Sequence, residues 1–335
     1  MDSKTDLQDT ERGVEPPTAW RLPGRLGAAS RWARERVSSR WARTLLVMAL
    51  VAMVVAILAW SVYRNWDTLA TYDWQFDPRY LGISFLCYSA ALSLSVFTWH
   101  TMMGSLAGFA NLRLNAKYYL YSAVAKRLPG FVWYVGSRIL LYEQEGIRKS
   151  HTSVGIVLES AMMILSGMLI YLGSMLFSQQ DWLQGKLPWL LLAMVPVVVA
   201  ILKPALMIRF LNAVLARFGR SPLSVQIGWR ESTRWVAQYC ANWIAGGLTL
   251  YYLAWAIQPL PLSAMPDVVG IVALTGVLRL ITFFIPGGWG IQEVSLSLGL
   301  NPYLPLPIAI GIPLLFRLWL ILSELLWVAA GTLVL

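Results

Sequence analysis

Residues 112–142 read LRLNAKYYLYSAVAKRLPGFVWYVGSRILLY. The stretch is apolar and aromatic enough for a membrane interior, but Pro129 and Gly130 interrupt it. Proline removes a helical N–H and clashes with the preceding turn, and glycine releases the backbone. The arm before the break runs to about 17 residues, near 26 Å, and the arm after it to about 12, near 17 Å. A bilayer core of roughly 30 Å needs about 20 residues, so the shorter arm cannot cross alone. The expected form is a helix that enters, breaks at mid-depth and returns as a half-helix. Broken backbone at that depth is tolerated where it is buried in protein or lines a cavity.

A second stretch, residues 267–300, repeats the pattern: DVVGIVALTGVLRLITFFIPGGWGIQEVSLSLGL, with the break at Pro286-Gly287-Gly288. Around these two lie six runs long enough to span: Leu45–Tyr63, Tyr80–Met103, Ser153–Phe177, Leu187–Ile208, Trp235–Ile257 and Leu306–Leu335. The expected fold is therefore an all-α polytopic membrane protein of eight hydrophobic segments, about six full spans and two Pro-Gly-broken re-entrant helix pairs. Composition agrees. The 335 residues are 57% hydrophobic and 13% charged, against about a quarter charged in soluble domains.

Charge sets the expected orientation. Most of the 27 Lys and Arg lie in the N-terminal tail, at Arg113 and Lys117, at Arg148 and Lys149, or between Lys203 and Arg234. If both termini are cytoplasmic and each broken segment returns to its own side, these all face the cytoplasm, as the positive-inside rule requires. The opposite side then carries Asp67, Asp73, Asp77, Asp181 and Asp267. The first broken segment would enter from the cytoplasm and the second from outside. Similar elements in opposite orientation are the mark of an inverted repeat, and paired Gly/Pro-interrupted segments point to the binding site of transporter-like folds. The net charge of +10 suits anionic headgroups of a cell membrane better than nucleic acid, because it flanks the apolar runs.

Residues 1–43 form a separate basic tail, partly disordered, and 44–335 the transmembrane domain. Within 28–43, Ala29, Ala33, Val37 and Trp41 recur at four-residue spacing among five arginines, which describes either a surface amphipathic helix or a positive-inside flank. No cleavable leader pattern is evident, so the first span is expected to stay as an anchor. Trp60, Tyr63, Trp66, Tyr72, Trp74 and Tyr80 suggest an outer aromatic belt, and Trp229 and Trp235 an inner one. Cys87, Cys240, His100 and His151 are too few and too scattered for a metal centre. No metal or cofactor is expected. No Walker loop, nucleophile elbow or HExxH occurs, so an enzyme is not expected either.

Ionisable residues inside apolar segments are the candidate site. A charge at a helix centre costs at least about 2.5–3.5 kcal/mol on insertion scales. Lys126, Arg127, Arg138, Arg279 and Arg317 are the cations; Glu159, Glu293 and Glu324 are the carboxylates. Lys126 and Arg127 stand one turn before Pro129-Gly130, where the outgoing half-helix offers free N–H groups and the positive end of its dipole, an anion site; alternatively they snorkel to the surface. Arg138 has Glu159 as its plausible partner. Glu293 falls in the first turn after Pro286-Gly287-Gly288, where it either complements the helix dipole, serves as a proton or cation site, or gates against Arg279 or Arg317. Glu324 shares a face with Arg317, which suggests an internal ion pair.

KRLPGFVWYVGSRILLYEQEGI (126–147) followed by SVGIVLES (153–160), then FFIPGGWGIQE (283–293) and LLFRLW (314–319), resemble the signatures of the flippase-like, lysylphosphatidylglycerol-synthase transmembrane-region family. Trp289 departs from the Leu common there. The resemblance covers roughly 44–335 and lacks the soluble synthase domain, so aminoacylation is not implied. It implies translocation of lipids with anionic or modified headgroups, or a role beside a glycosyltransferase or other lipid-modifying enzyme. On residue matches it marks Pro129, Gly130, Arg138, Glu159, Pro286, Gly287, Gly288, Glu293 and Arg317 as site residues.

Overall fold

The computed structural model describes residues 75–125, 131–178, 186–217, 225–282 and 290–334, with a few single positions besides. All of these belong to one compact unit, Met53–Leu335. The tail, the expected span Leu45–Tyr63 and both Pro-Gly breaks lie outside the described residues.

The described residues are all helical, without strands. We number the helices α1 (Pro78–Ala107), α2 (Leu112–Ala125), α3 (Phe131–Gln144), α4 (Lys149–Met175), α5 (Leu187–Leu202), α6 (Pro204–Arg217), α7 (Trp229–Trp255), α8 (Met265–Ile281), α9 (Ile291–Leu300) and α10 (Leu306–Val334). Both stretches expected to break do appear as two helices each, α2 with α3 and α8 with α9.

The count of eight hydrophobic segments needs correction. Among the described residues, four helical stretches are long and apolar enough to cross a membrane: Pro78–Ala107, Lys149–Met175, Leu262–Ile281 and Ile308–Gly331. The expected span Leu187–Ile208 is instead two helices bent by 93°. Pro204 causes the bend, because a proline disfavours helical backbone in the residue before it, and Lys203 has left the helical region at φ −119°, ψ 71°. The expected span Trp235–Ile257 falls, but for its last two residues, in α7, a 27-residue helix that is too polar to count among the four. Its polarity follows from its position. α7 packs against α1, α4, α5, α8 and α10, so protein rather than lipid solvates much of it. Trp235, assigned above to an interfacial belt, is fully buried there, whereas Trp229 is exposed. Leu262–Ile281, expected as an arm ending at mid-depth, has a full span's length and apolarity.

Close packing around α7 rests on small residues, as in membrane bundles. A Cβ at Gly247 would sit 2.6 Å from the Val269 Cα of α8, so only glycine permits that approach. α1 and α7 run antiparallel: Asp77 N–H donates to the Ala256 carbonyl at 2.8 Å, Ser84 Oγ to the Thr249 carbonyl and Ser95 Oγ to Asn242 Oδ1.

The two helix pairs are antiparallel hairpins. In the first, Asn115 and Tyr118 near the start of α2 meet Tyr142 and Glu145 at the end of α3, and Ser122, farther in, meets Arg138. In the second, Asp267 at the start of α8 meets Tyr303 just beyond α9. Arg279 at the end of α8 meets Gln292 at the start of α9. The first hairpin opens where α1 ends and α4 begins. The second opens where α7 ends and α10 begins. The end of α7 lies beside the start of α1, so the hairpins open at opposite ends of the bundle.

Candidate functional site

Each hairpin is tied to the long helix that follows it by one Arg–Glu pair. Arg138 on α3 meets Glu159 on α4, with Nη1 to Oε2 at 2.5 Å. Glu293 on α9 meets Arg317 on α10, with Oε1 to Nη2 at 2.7 Å. The arrangement is the same and the signs are exchanged. At 1.5 Å rise, Glu159 stands roughly 15 Å along α4 and Arg317 roughly 17 Å along α10, so both pairs lie well inside the bundle.

The Arg138 pair is enclosed. Arg138 is 0% and Glu159 1% exposed. The guanidinium carbon lies 4.0 Å from the Trp99 ring centre, 4.5 Å from Tyr119 and 4.6 Å from Tyr134, all within cation–π range. Arg138 Nε donates to Ser122 Oγ at 3.0 Å, and the Tyr134 hydroxyl donates to the same Glu159 oxygen at 2.6 Å. Burying a charge is costly unless it is paired and hydrogen-bonded. Here a counter-ion, two hydroxyls and three aromatic faces meet most of that need, while Arg138 Nη2 makes no hydrogen bond. In this conformation Arg138 therefore serves an internal partner and touches no solvent.

A polar chain continues toward the open end of the first hairpin. Trp99 Nε1 donates to the Tyr142 hydroxyl at 2.7 Å, and that hydroxyl donates to Asn115 Oδ1. Asn115 also meets His100 Nδ1 at 3.0 Å. Tyr118 donates to Glu145 at 2.5 Å.

The second pair is less enclosed, its side chains 6% exposed at Arg317 and 19% at Glu293. The contact is an ion pair rather than a hydrogen bond, so its attraction is chiefly Coulombic. The other Glu293 oxygen, Oε2, accepts from Gly290 N–H at 2.9 Å. Gly290 takes φ +81° to begin α9, a conformation glycine adopts without steric cost. The dipole-complementing role and the contact with Arg317 thus occur together in one carboxylate.

Arg317 faces Glu293 rather than Glu324. Seven residues amount to about 10 Å of rise, beyond direct contact along a helix. Glu324 instead accepts from the Tyr88 hydroxyl at 2.6 Å. Arg279 donates through Nη1 to Gln292 Oε1 at 2.9 Å, across its own hairpin; it is half-buried. Lys126, Arg127, Pro129, Gly130, Pro286, Gly287 and Gly288 lie outside the described residues. Among the described residues no group of three or more His, Cys, Asp or Glu could hold a metal ion.

Charge in apolar runs identified the ionic residues but not what surrounds them. Ser122, Tyr119, Tyr134, Trp99, Tyr142 and Asn115 were missed. Their signal was available, since Tyr134, Arg138 and Tyr142 recur at four-residue spacing, as do Asn115 and Tyr119, and so share helix faces.

No protein-family model matches the chain, and no curated protein matches it.

Proposed function

We propose that this protein is a lipid flippase-like membrane transporter for a phosphate-bearing lipid, either a phospholipid or a polyprenyl-phosphate-linked lipid. The observation that carries the reading is the pair of antiparallel hairpins opening at opposite ends of the bundle, each anchored by one internal Arg–Glu pair. On this reading they are re-entrant pairs of an inverted repeat, with both termini on the cytoplasmic side of the cell membrane. A half-helix start at each break offers N–H groups in place of the water a headgroup loses. On this reading the half-buried Arg279 lines the headgroup path. Arg138 and Arg317 hold the hairpins in place through Glu159 and Glu293. With an inside-negative potential, outward movement of one negative charge gains about 2.3 kcal/mol per 100 mV, so no nucleotide is required. The resemblance of the two Pro-Gly signatures to the flippase-like family supports the same reading.

The test is headgroup translocation in proteoliposomes, with fluorescent phosphatidylglycerol and a labelled polyprenyl phosphate as probes. Wild-type protein speeds one of them over protein-free liposomes, and Arg279→Gln slows it while the melting temperature holds. Translocation at the protein-free rate for both probes would sink the proposal.

The enclosure of Arg138 and Glu159 favours one second reading, a rigid intramembrane scaffold for a glycosyltransferase or other lipid-modifying enzyme. It requires stable co-purification of such an enzyme and a normal phenotype when Arg279 is neutralised.

A further inference from the structure

The helix α6 has three faces. Pro204, Met207 and Ile208 are buried, the last two in a cluster with Met102, Leu158, Trp235 and Tyr239. This anchors its first turns at the end of the bundle where the α2–α3 hairpin opens. A second flank carries Leu206, Phe210 and Val214 at four-residue spacing, which are 43%, 69% and 39% exposed. The remaining flank carries Arg209, Asn212 and Ala216. A helix immersed in lipid needs no polar flank, and one bathed in water gains nothing from an exposed Leu-Phe-Val row. The combination fits a boundary between the two.

The bend supplies the orientation. Helix α5 packs along α4 and α7 and exposes Trp189, Leu191, Leu192 and Val195, as a helix at the lipid-facing edge of the bundle does. α6 turns 93° from it and so runs across the direction of α5, which packs along the bundle. The charge supplies the partner. From Lys203 to Arg230 the sequence holds Lys203, Arg209, Arg217, Arg220 and Arg230 and no Asp or Glu. Basic residues on an interfacial helix attract anionic headgroups.

We infer that α6 is an interfacial helix that docks on the headgroup layer of an anionic bilayer, with Phe210 and its row immersed, Arg209 on the polar flank against headgroups, and Arg217 snorkelling to them from the end of the immersed row. The inference does not depend on transport.

The full chain, with Cys87 and Cys240 replaced by Ser, is spin-labelled after Phe210→Cys, Val214→Cys, Asn212→Cys or Ala216→Cys and placed in nanodiscs of phosphatidylcholine, with or without phosphatidylglycerol. Oxygen, which partitions into lipid, relaxes the labels at 210 and 214 more than a water-soluble nickel chelate does, and the order reverses at 212 and 216. Adding phosphatidylglycerol shifts the label at 210 deeper, and the double variant Arg209→Gln/Arg217→Gln abolishes that shift. Equal aqueous access on both flanks overturns the inference. So does shielding of the 210–214 flank from both reagents, which would mean a protein covers it. An identical depth in the two lipids overturns the anionic partner.

Discussion

Glu293 Oε1 lies 2.7 Å from Arg317 Nη2, and the other oxygen of the same carboxylate accepts the Gly290 N–H that opens α9. One side chain thus caps the returning arm of a hairpin and fastens it to the last helix. The two jobs can be separated, because a neutral amide at 293 still accepts from Gly290 but loses the charge.

Arg317→Met leaves Glu293 without its cation in a largely dry setting. Breaking a buried pair in this way costs about 3–5 kcal/mol, reduced here because Glu293 is partly exposed. Adding Glu293→Gln removes the orphaned charge and recovers part of the loss. A double-mutant cycle of thermal unfolding in detergent should show coupling of about 0.5–3 kcal/mol. Additive losses would mean that the pair contributes nothing as a pair.

Arg138→Lys should not replace Arg138. Its guanidinium faces the rings of Trp99, Tyr119 and Tyr134 while its edge serves Glu159 and Ser122, and an ammonium lacks that planar shape. The expected result is a clear drop in melting temperature for Lys, larger for Met. Equal stability of Lys and Arg at 138 would show that charge alone matters.

Tyr142→Phe deletes the hydroxyl that accepts from Trp99 and donates to Asn115. Two buried polar groups then lose a partner, at about 1–3 kcal/mol for an unsatisfied group. Thermal unfolding measures it, and loss below about 0.5 kcal/mol would mean that other groups satisfy them.

Gly247→Ala and Gly246→Ala differ by one position and should differ in sign. A Cβ at Gly247 would collide with the Val269 backbone at 2.6 Å, whereas one at Gly246 meets only Val272 Cγ1 at 4.0 Å. Overpacking costs about 1–3 kcal/mol. Alanine in an open helical site gains up to about 1 kcal/mol over glycine. The two melting temperatures decide the matter, and a neutral Gly247→Ala would mean that α8 can move away freely.

Several features were legible because they are local. Proline, glycine and apolar run length act within a turn or two, so the division of 112–142 and 267–300 into paired helices could be read from the chain. The same local rule applies at Lys203-Pro204, where the apolar composition on either side masks the bend by suggesting one span. Run length alone put Trp235–Ile257 among the spans, but a helix wrapped by other helices answers to protein neighbours rather than to lipid, and α7 carries the polar residues that this permits.

By itself the sequence determined an apolar helical chain with charges held inside its apolar segments and two interrupted stretches. Tertiary structure alone decided that Arg317 meets Glu293 rather than Glu324 and that aromatic rings enclose Arg138. The reason is reach. Helix start, stop and face are set by neighbours within a few residues, while the partner of a buried charge is set by which helices approach, and that depends on contacts between residues far apart in the chain.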